Sequence, residues 1–282
     1  MKRGPLKWHG GKSYLAPWII DQFPPHLHYV EPYAGGLAVL MARDPLDERF
    51  AIGEKSHQRG VSEVVNDLNS ELVNFWRVLQ DEEAFAKFLR KSQVTPFSQE
   101  LWEDLREKTT PQQGKAPDVE AAYAFFVVCR MSRAGNLNSF APLSRNRTRR
   151  SMNEQASAWW SCVEGLPEIH ERLRRVVILN EDALKVIKSQ DGPNTLFYLD
   201  PPYVHATRAG TDDYSHEMDD AAHLQMLEAI KKCKGKVILS GYSNKLYNDT
   251  LQGWRRKMKR IDNKVSQKES KEKITEMLWL NY

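Results

Sequence analysis

The chain predicts an α/β fold, a mostly parallel sheet with crossover helices, interrupted in sequence by an inserted, mostly helical module. Three observations carry this. Residues 26–70 and 176–245 alternate short apolar runs with helical stretches, the pattern of strands joined by crossover helices. Residues 76–175 instead repeat apolar positions at helical spacing. At 282 residues, 41% of them hydrophobic, the chain is long enough for one sizeable core or for a core domain plus a smaller one. The expected division therefore sets 1–75 and 176–282 against 76–175.

Taken in order, Tyr29-Val30 is the first strand and leads through Glu31-Pro32-Tyr33-Ala34-Gly35-Gly36 into a helical start at Leu37-Ala38-Val39-Leu40-Met41. Val61–Val65 is the second strand, ending at Asn66-Asp67. Helical spacing follows over Glu71–Arg90, Gln99–Lys108, Val119–Arg130 and Glu164–Arg175. Residues 133–155, rich in Gly, Asn, Ser and Arg and without either period, read as loop or a loose hairpin. Val176–Leu179, Thr195–Leu199 and Lys236–Leu239 are the third to fifth strands, with a helix over about Asp219–Lys234 between the last two. Arg256–Ile261 and Glu276–Tyr282 pair as a hairpin across the charged loop Asn263–Lys273.

Composition excludes several classes. No window approaches eighteen apolar residues, and Met1-Lys2-Arg3-Gly4-Pro5 lacks an apolar leader core, so neither a membrane span nor a secretory signal is expected. Cys129, Cys162 and Cys233 stand far apart, which argues against a disulfide scaffold or a cysteine zinc site. The expectation is a reduced, intracellular protein without a metal. Its net charge is only +4, but residues 130–150 carry six arginines and no acid, and residues 231–273 carry fourteen Lys/Arg against four acids. Positive charge segregated in this way suits a polyanion, because each Lys or Arg on a phosphate releases condensed counterions. A solubilising surface is the alternative.

The sharpest chemical signal is Asp200-Pro201-Pro202-Tyr203, directly after the apolar strand Leu196-Phe197-Tyr198-Leu199. Ligands of open α/β sheets bind beyond the carboxyl ends of the strands. Two prolines fix φ and remove two donors, which frees the carbonyl around Pro201; Asp adds an acceptor and Tyr a flat ring. Two acceptors beside a stacking face suit a planar group that bears an exocyclic NH₂, although Asp-Pro-Pro is also ordinary turn chemistry. Glu31-Pro32-Tyr33-Ala34-Gly35-Gly36 is a strand-to-helix turn of small residues that lets backbone approach a ligand. Asp67 and Asp182, each just past a strand, are acceptors at the same rim or helix caps. Lys7-Trp8-His9-Gly10-Gly11-Lys12-Ser13 is not a P-loop, since Leu6 stands where the first Gly belongs.

Trp8-His9-Gly10-Gly11-Lys12, Glu31–Gly36, Asn66-Asp67-Leu68-Asn69 and Asp200–Tyr203 occur in the order found in the Dam-like, D12 class of DNA adenine-N6 methyltransferases, which the closing Glu276–Tyr282 also resembles. The resemblance spans nearly the whole chain and is weakest across about 80–175. It implies a Rossmann-like S-adenosylmethionine-dependent methyltransferase sheet at 1–75 and 176–282 and a target-recognition, DNA-binding domain at 76–175. It further implies cofactor contacts from Trp8, Lys12, Glu31, Pro32, Tyr33, Ala34, Gly35, Asp67, Asp182 and Asp200, with Asp182 on the adenine. The catalytic group would be Asp200, Pro201, Pro202 and Tyr203. Leu37 stands where the family's turn often has a second glycine, a departure that bears on the backbone contact there.

Double-stranded DNA is the expected partner, met by a monomer or weak dimer in the cytoplasm of a bacterial or phage-infected cell, with no membrane and no metal. An adenine inside a duplex must be extruded before its N6 can react. Arg130, Arg133, Asn136, Asn138, Arg145, Arg147, Arg149 and Arg150 have the side chains that read bases or hold phosphates. Cytosine N4, an RNA amino group, a protein glutamine and a non-catalytic DNA-binding module remain open. Asp200, where enzymes acting on protein amides usually have Asn, disfavours the protein substrate. No Cys follows a Pro, as a cytosine-C5 nucleophile would.

Overall fold

The computed structural model describes residues 4–8, 10–52, 60–112, 117–204, 218–262 and 273–282. In chain order these form α1 (Ala16–Ile20), β1 (His28–Glu31), α2 (Ala38–Ala42), β2 (Ser62–Asn66), α3 (Ser70–Gln80), α4 (Glu82–Gln93), α5 (Gln99–Leu105) and α6 (Val119–Met131). There follow β3 (Thr148–Arg149), β4 (Met152–Asn153), α7 (Glu154–Glu164), α8 (Leu166–Leu173), β5 (Val176–Leu179), α9 (Ala183–Gln190) and β6 (Thr195–Leu199). The chain ends with α10 (Asp220–Lys231), β7 (Lys236–Tyr242), α11 (Lys245–Thr250), β8 (Arg255–Asp262) and β9 (Lys273–Leu280). The main sheet is seven-stranded and mostly parallel. Backbone contacts separate one unit of residues 1–22, 35–45 and 69–180 from another of 23–34, 46–68 and 181–282.

The first unit is helical because its polar residues fall where helix ends need them. Asn69 accepts from the Glu71 and Leu72 amides to start α3, and Asp118 accepts from Glu120 and Ala121 to start α6. The expected continuous helix over Glu71–Arg90 is two helices. Asp81 is extended (φ −77°, ψ 130°), closes α3, and accepts from the Ala84 amide at 2.8 Å to start α4. Hydrophobic spacing runs through this break, so only the cap reveals it. A second difference is α7, a helix that the apolar spacing does not announce and that Asn153 caps by accepting from the Gln155 amide; the helix expected over Glu164–Arg175 is present as α8, after Gly165. Ten of the thirteen residues of α6 are buried, which makes it the central helix of this unit.

In the second unit six strands run in the order β2-β1-β6-β7-β9-β8, parallel from β2 to β7 and antiparallel beyond. Every residue of β6 is buried, the continuous apolar run of a strand covered on both faces. The expected closing hairpin is present, with Arg255 opposite Leu280 and Asp262 opposite Lys273. Residues 263–272 of its charged loop lie outside the described residues, as does His9.

Candidate active site

The corner after β6 is held from β7 and β9. Asp200, Pro202 and Tyr203 are half-buried, and Pro201 is buried. The Tyr203 hydroxyl donates to Glu276 Oε1 at 2.8 Å, and Ser240 Oγ donates to the same oxygen at 2.7 Å. Tyr242 meets the Tyr203 ring at 60°, with centroids 4.5 Å apart. Burial, reinforced by the Asp200 and Glu276 charges, pushes the Tyr203 phenol well above its ordinary pKa. Tyr203 therefore keeps its proton and offers a neutral ring, so it does not act as a base. Tyr198 on β6 is raised in the same way, by burial first and then by the charges of Asp200 and Glu276.

A second group ties the other strand ends. Asn66, buried at the end of β2, donates through Nδ2 to the Pro32 and Glu181 carbonyls, both at 3.0 Å. Its Oδ1 accepts from the Glu181 amide at 2.9 Å, and its carbonyl accepts from the Ala34 amide at 2.9 Å. One amide thus brings the Glu31–Ala34 turn, Asp67 and the Glu181-Asp182 segment to one place. Within it the Tyr29 hydroxyl donates to the buried Glu31 carboxylate at 2.6 Å. Asp182 caps α9, accepting from the Leu184 and Lys185 amides. Asp67 is not a cap, since Asn69 has that role in α3. Burial and then the Asp182 charge raise the Tyr33 phenol; Tyr247 is raised by burial and then by Tyr33 and Asp200. The side chains from Asp182 to Asp200 therefore share one electrostatic neighbourhood.

In the first unit the glycine turn is packed against an indole. Gly35 has φ +48°, and a Cβ there would lie 2.8 Å from Trp8 Nε1. A Cβ at Gly36 would lie 2.7 Å from the Trp8 Cβ, so neither position admits a side chain without movement. Leu37, the departure noted in the sequence, adopts φ 55°, the left-handed conformation a glycine would take with less strain. Being fully buried, its side chain offsets that strain. Lys12 is buried and donates through Nζ to the Gly10 carbonyl at 3.3 Å. A cavity of about 380 Å³ opens here, lined by Gly4, Leu6, Lys7, Trp8, Gly11, Ser13, Gly36, Ala38 and Arg130. Burial and then the Arg130 charge lower the Lys7 amine to about 8.

The basic loop is a short hairpin. Thr148 pairs with Asn153 and Arg149 with Met152, and both turn residues, Arg150 and Ser151, have positive φ (55° and 59°), the signature of a type I′ turn. Arg133, Asn136, Asn138, Arg145, Arg147, Arg149 and Arg150 are exposed. Among the described residues, Arg133, Arg145 and Arg149 have no acidic partner, whereas Arg150 forms a two-pronged pair with Glu164 at 2.9 Å. Arg130 is half-buried and donates to the Ala158 carbonyl. Asn136 uses its own Oδ1 on the Asn138 and Ser139 amides, shaping the loop as well as facing solvent.

Glu276, Ser240 and Tyr242 were not among the site residues read from the sequence. One signal was available: Glu276 is an isolated acid at the head of the apolar run Met277-Leu278-Trp279-Leu280. Asn66 was seen in its motif without a role. Among the described residues there is no cluster of His, Cys, Asp and Glu able to hold a metal, and no helix is long and apolar enough to cross a membrane.

Two comparisons bear on this arrangement. The family described as D12 class N6 adenine-specific DNA methyltransferase matches residues 8–267. A protein of Lactococcus lactis subsp. cremoris, the Type II methyltransferase M1.LlaDCHI, is 26% identical over 293 residues, covering 98% of this chain and 94% of its own.

Proposed function

Because the chain belongs to the D12 class of N6 adenine-specific DNA methyltransferases, a site-specific methylating family with a Rossmann-like sheet, we propose that Asp200–Tyr203 is the site at which an extruded adenine of duplex DNA receives a methyl group from S-adenosylmethionine. The observation that carries this reading is the corner after β6, where a carboxylate, a proline carbonyl and a tyrosine held by a buried carboxylate stand at the carboxyl end of a central strand.

The donor set fits that cofactor. Asp67 is a half-buried carboxylate of the kind that accepts ribose hydroxyls, and Trp8 offers a flat face beside a glycine turn. Lys12 is a cation matched to a carboxylate. Glu31, Pro32, Tyr33, Ala34 and Gly35 would border the methionine part of the cofactor and Asp182 its adenine. The bound cofactor supplies an electrophilic methyl on a positively charged sulfur.

The chain's own residues do the rest. Extruding a base costs a few kcal/mol, and stacking on Tyr203 returns about 1–3 kcal/mol. The Asp200 carboxylate and the Pro201 carbonyl accept the two N6 hydrogens, which draws the nitrogen towards tetrahedral character and aims its lone pair away from the ring plane. Pro202 keeps the corner rigid. Catalysis is then positioning and electrostatics, with no covalent enzyme intermediate. Residues 1–75 and 176–282 carry the chemistry and 76–175 the target recognition. There Arg130, Arg133, Asn136, Asn138, Arg145, Arg147, Arg149 and Arg150 contact the DNA.

Mass analysis of nucleosides digested from DNA of cells expressing the chain tests the product. N6-methyladenine is expected. N4-methylcytosine would move the acceptor, and unmodified DNA would remove the activity.

A further inference from the structure

Glu276 is only 1% exposed. A carboxylate in such a place is costly unless hydrogen bonds compensate it. Its Oε1 receives two, from the Tyr203 and Ser240 hydroxyls. Strand register explains why they converge. Tyr242 stands opposite Glu276, and Ser240 stands opposite Leu278, so Ser240, Tyr242 and Glu276 lie on one face of the β7–β9 pair. That face receives the Tyr203 side chain, with its hydroxyl on the carboxylate and its ring edge against Tyr242.

The prolines before Tyr203 fix their own φ and so the corner that presents it, but leave both of its side-chain dihedrals free. A charge-assisted hydrogen bond at the far end of the ring removes that freedom, and it is stronger than a bond between neutral groups. Ser240, donating to the same oxygen at 2.7 Å, braces the carboxylate that Tyr203 meets.

We propose that Glu276 is a positioning residue for methyl transfer: through the Tyr203 hydroxyl, and braced by Ser240, it orients the ring on which the extruded base stacks. This rests on reading Tyr203 as the stacking ring. An order-of-magnitude consequence is a loss of about tenfold in kcat without the bond, equivalent to about 1.4 kcal/mol of transition-state stabilisation.

The test uses the full chain and a duplex containing the site it methylates in cells. Tyr203→Phe removes only the hydroxyl. It should lower kcat about tenfold and weaken the fluorescence rise of 2-aminopurine placed at the target base, with the chain still folded at the assay temperature and DNA affinity unchanged, although the melting temperature falls because the buried carboxylate loses a donor. Glu276→Gln, whose amide oxygen still accepts, should stay within about threefold of wild type, whereas Glu276→Leu should match Tyr203→Phe. The double variant Tyr203→Phe/Glu276→Leu should lose no more than either single one. Wild-type kcat and fluorescence in Tyr203→Phe, or additive losses in the double variant, would overturn the proposal. Should Glu276→Leu fail to fold, Tyr203→Phe and Glu276→Gln still decide it. A wild-type chain that methylates no DNA removes the functional reading itself. One that methylates normally beside an unaffected Tyr203→Phe removes only the positioning role.

Discussion

The two compact units bury polar groups for different purposes. In the first, such groups serve helix ends and the packing of helices. Asp118 caps α6 and is bracketed by Asn74, which donates to its carbonyl and accepts from its amide. His170 stacks on Phe85 at 4.4 Å and bonds the Leu79 carbonyl. Around them lies an aromatic core in which Phe75 and Phe126 stack at 5.7 Å and Trp159 meets Phe126 at 5.1 Å. In the second unit Asn66, at the end of β2, and the Ser240–Glu276 pair, within β7 and β9, are buried polar groups that hold the turn and loop residues Pro32, Glu181 and Tyr203. Apolar packing is non-directional and supplies stability, whereas hydrogen bonds supply direction. Damage to the aromatic packing of the first unit should therefore appear as unfolding, and damage to the polar groups that hold loops in the second as lost chemistry.

The sharpest break between the two is Asp200→Ala. Transfer should fall by at least a thousandfold, about 4 kcal/mol of transition-state stabilisation, while the melting temperature stays within a degree or two. A substantial residual rate in a methyl-transfer assay would sink the role given to Asp200. Phe126→Ala is its opposite. Removing a fully buried ring should cost about 3–5 kcal/mol in urea unfolding, with the activity per folded molecule kept. Loss of activity without loss of stability there would break the contrast.

The hairpin tests a third kind of effect, neither folding nor chemistry. Reversing the charges of Arg147, Arg149 and Arg150 together should weaken DNA binding and flatten the dependence of log affinity on log salt, by about one unit for each phosphate no longer neutralised. A titration with an unchanged salt slope would remove the loop from the interface. Stability should move little, because the Arg150–Glu164 pair is exposed.

Lys7 gives the smallest expected effect. Its folded pKa, about 8, lies below the ordinary value of 10.5. Below pH 8 the amine is charged folded and unfolded, so the full cost of burying that charge is present. Between pH 8 and 10.5 the unfolded chain holds more protons than the folded one, and stability from this group rises with pH. Lys7→Met should accordingly raise the melting temperature at pH 7 and gain less by pH 10. An equal difference at both values would dismiss the burial of charge at Lys7.

Much of this was legible in residue order. Val176–Leu179 and Thr195–Leu199 are strands at those very bounds, because apolar runs bounded by polar turns leave little choice of end. The break at Asp81 and the helix Glu154–Glu164 were not legible, since caps compete with a hydrophobic period that reads on past them. Residue types and spacing alone determined the α/β class, the acid, prolines and ring that follow β6 at Asp200–Tyr203 and the basic character of residues 130–150. Only the tertiary structure decided that Glu276, 73 residues from Tyr203, holds its hydroxyl, and that Asn66 reaches Glu181 across 115 residues. The reason is physical. A strand's local sequence sets which residues share a face, but which partner stands opposite depends on a register that the whole sheet must satisfy at once.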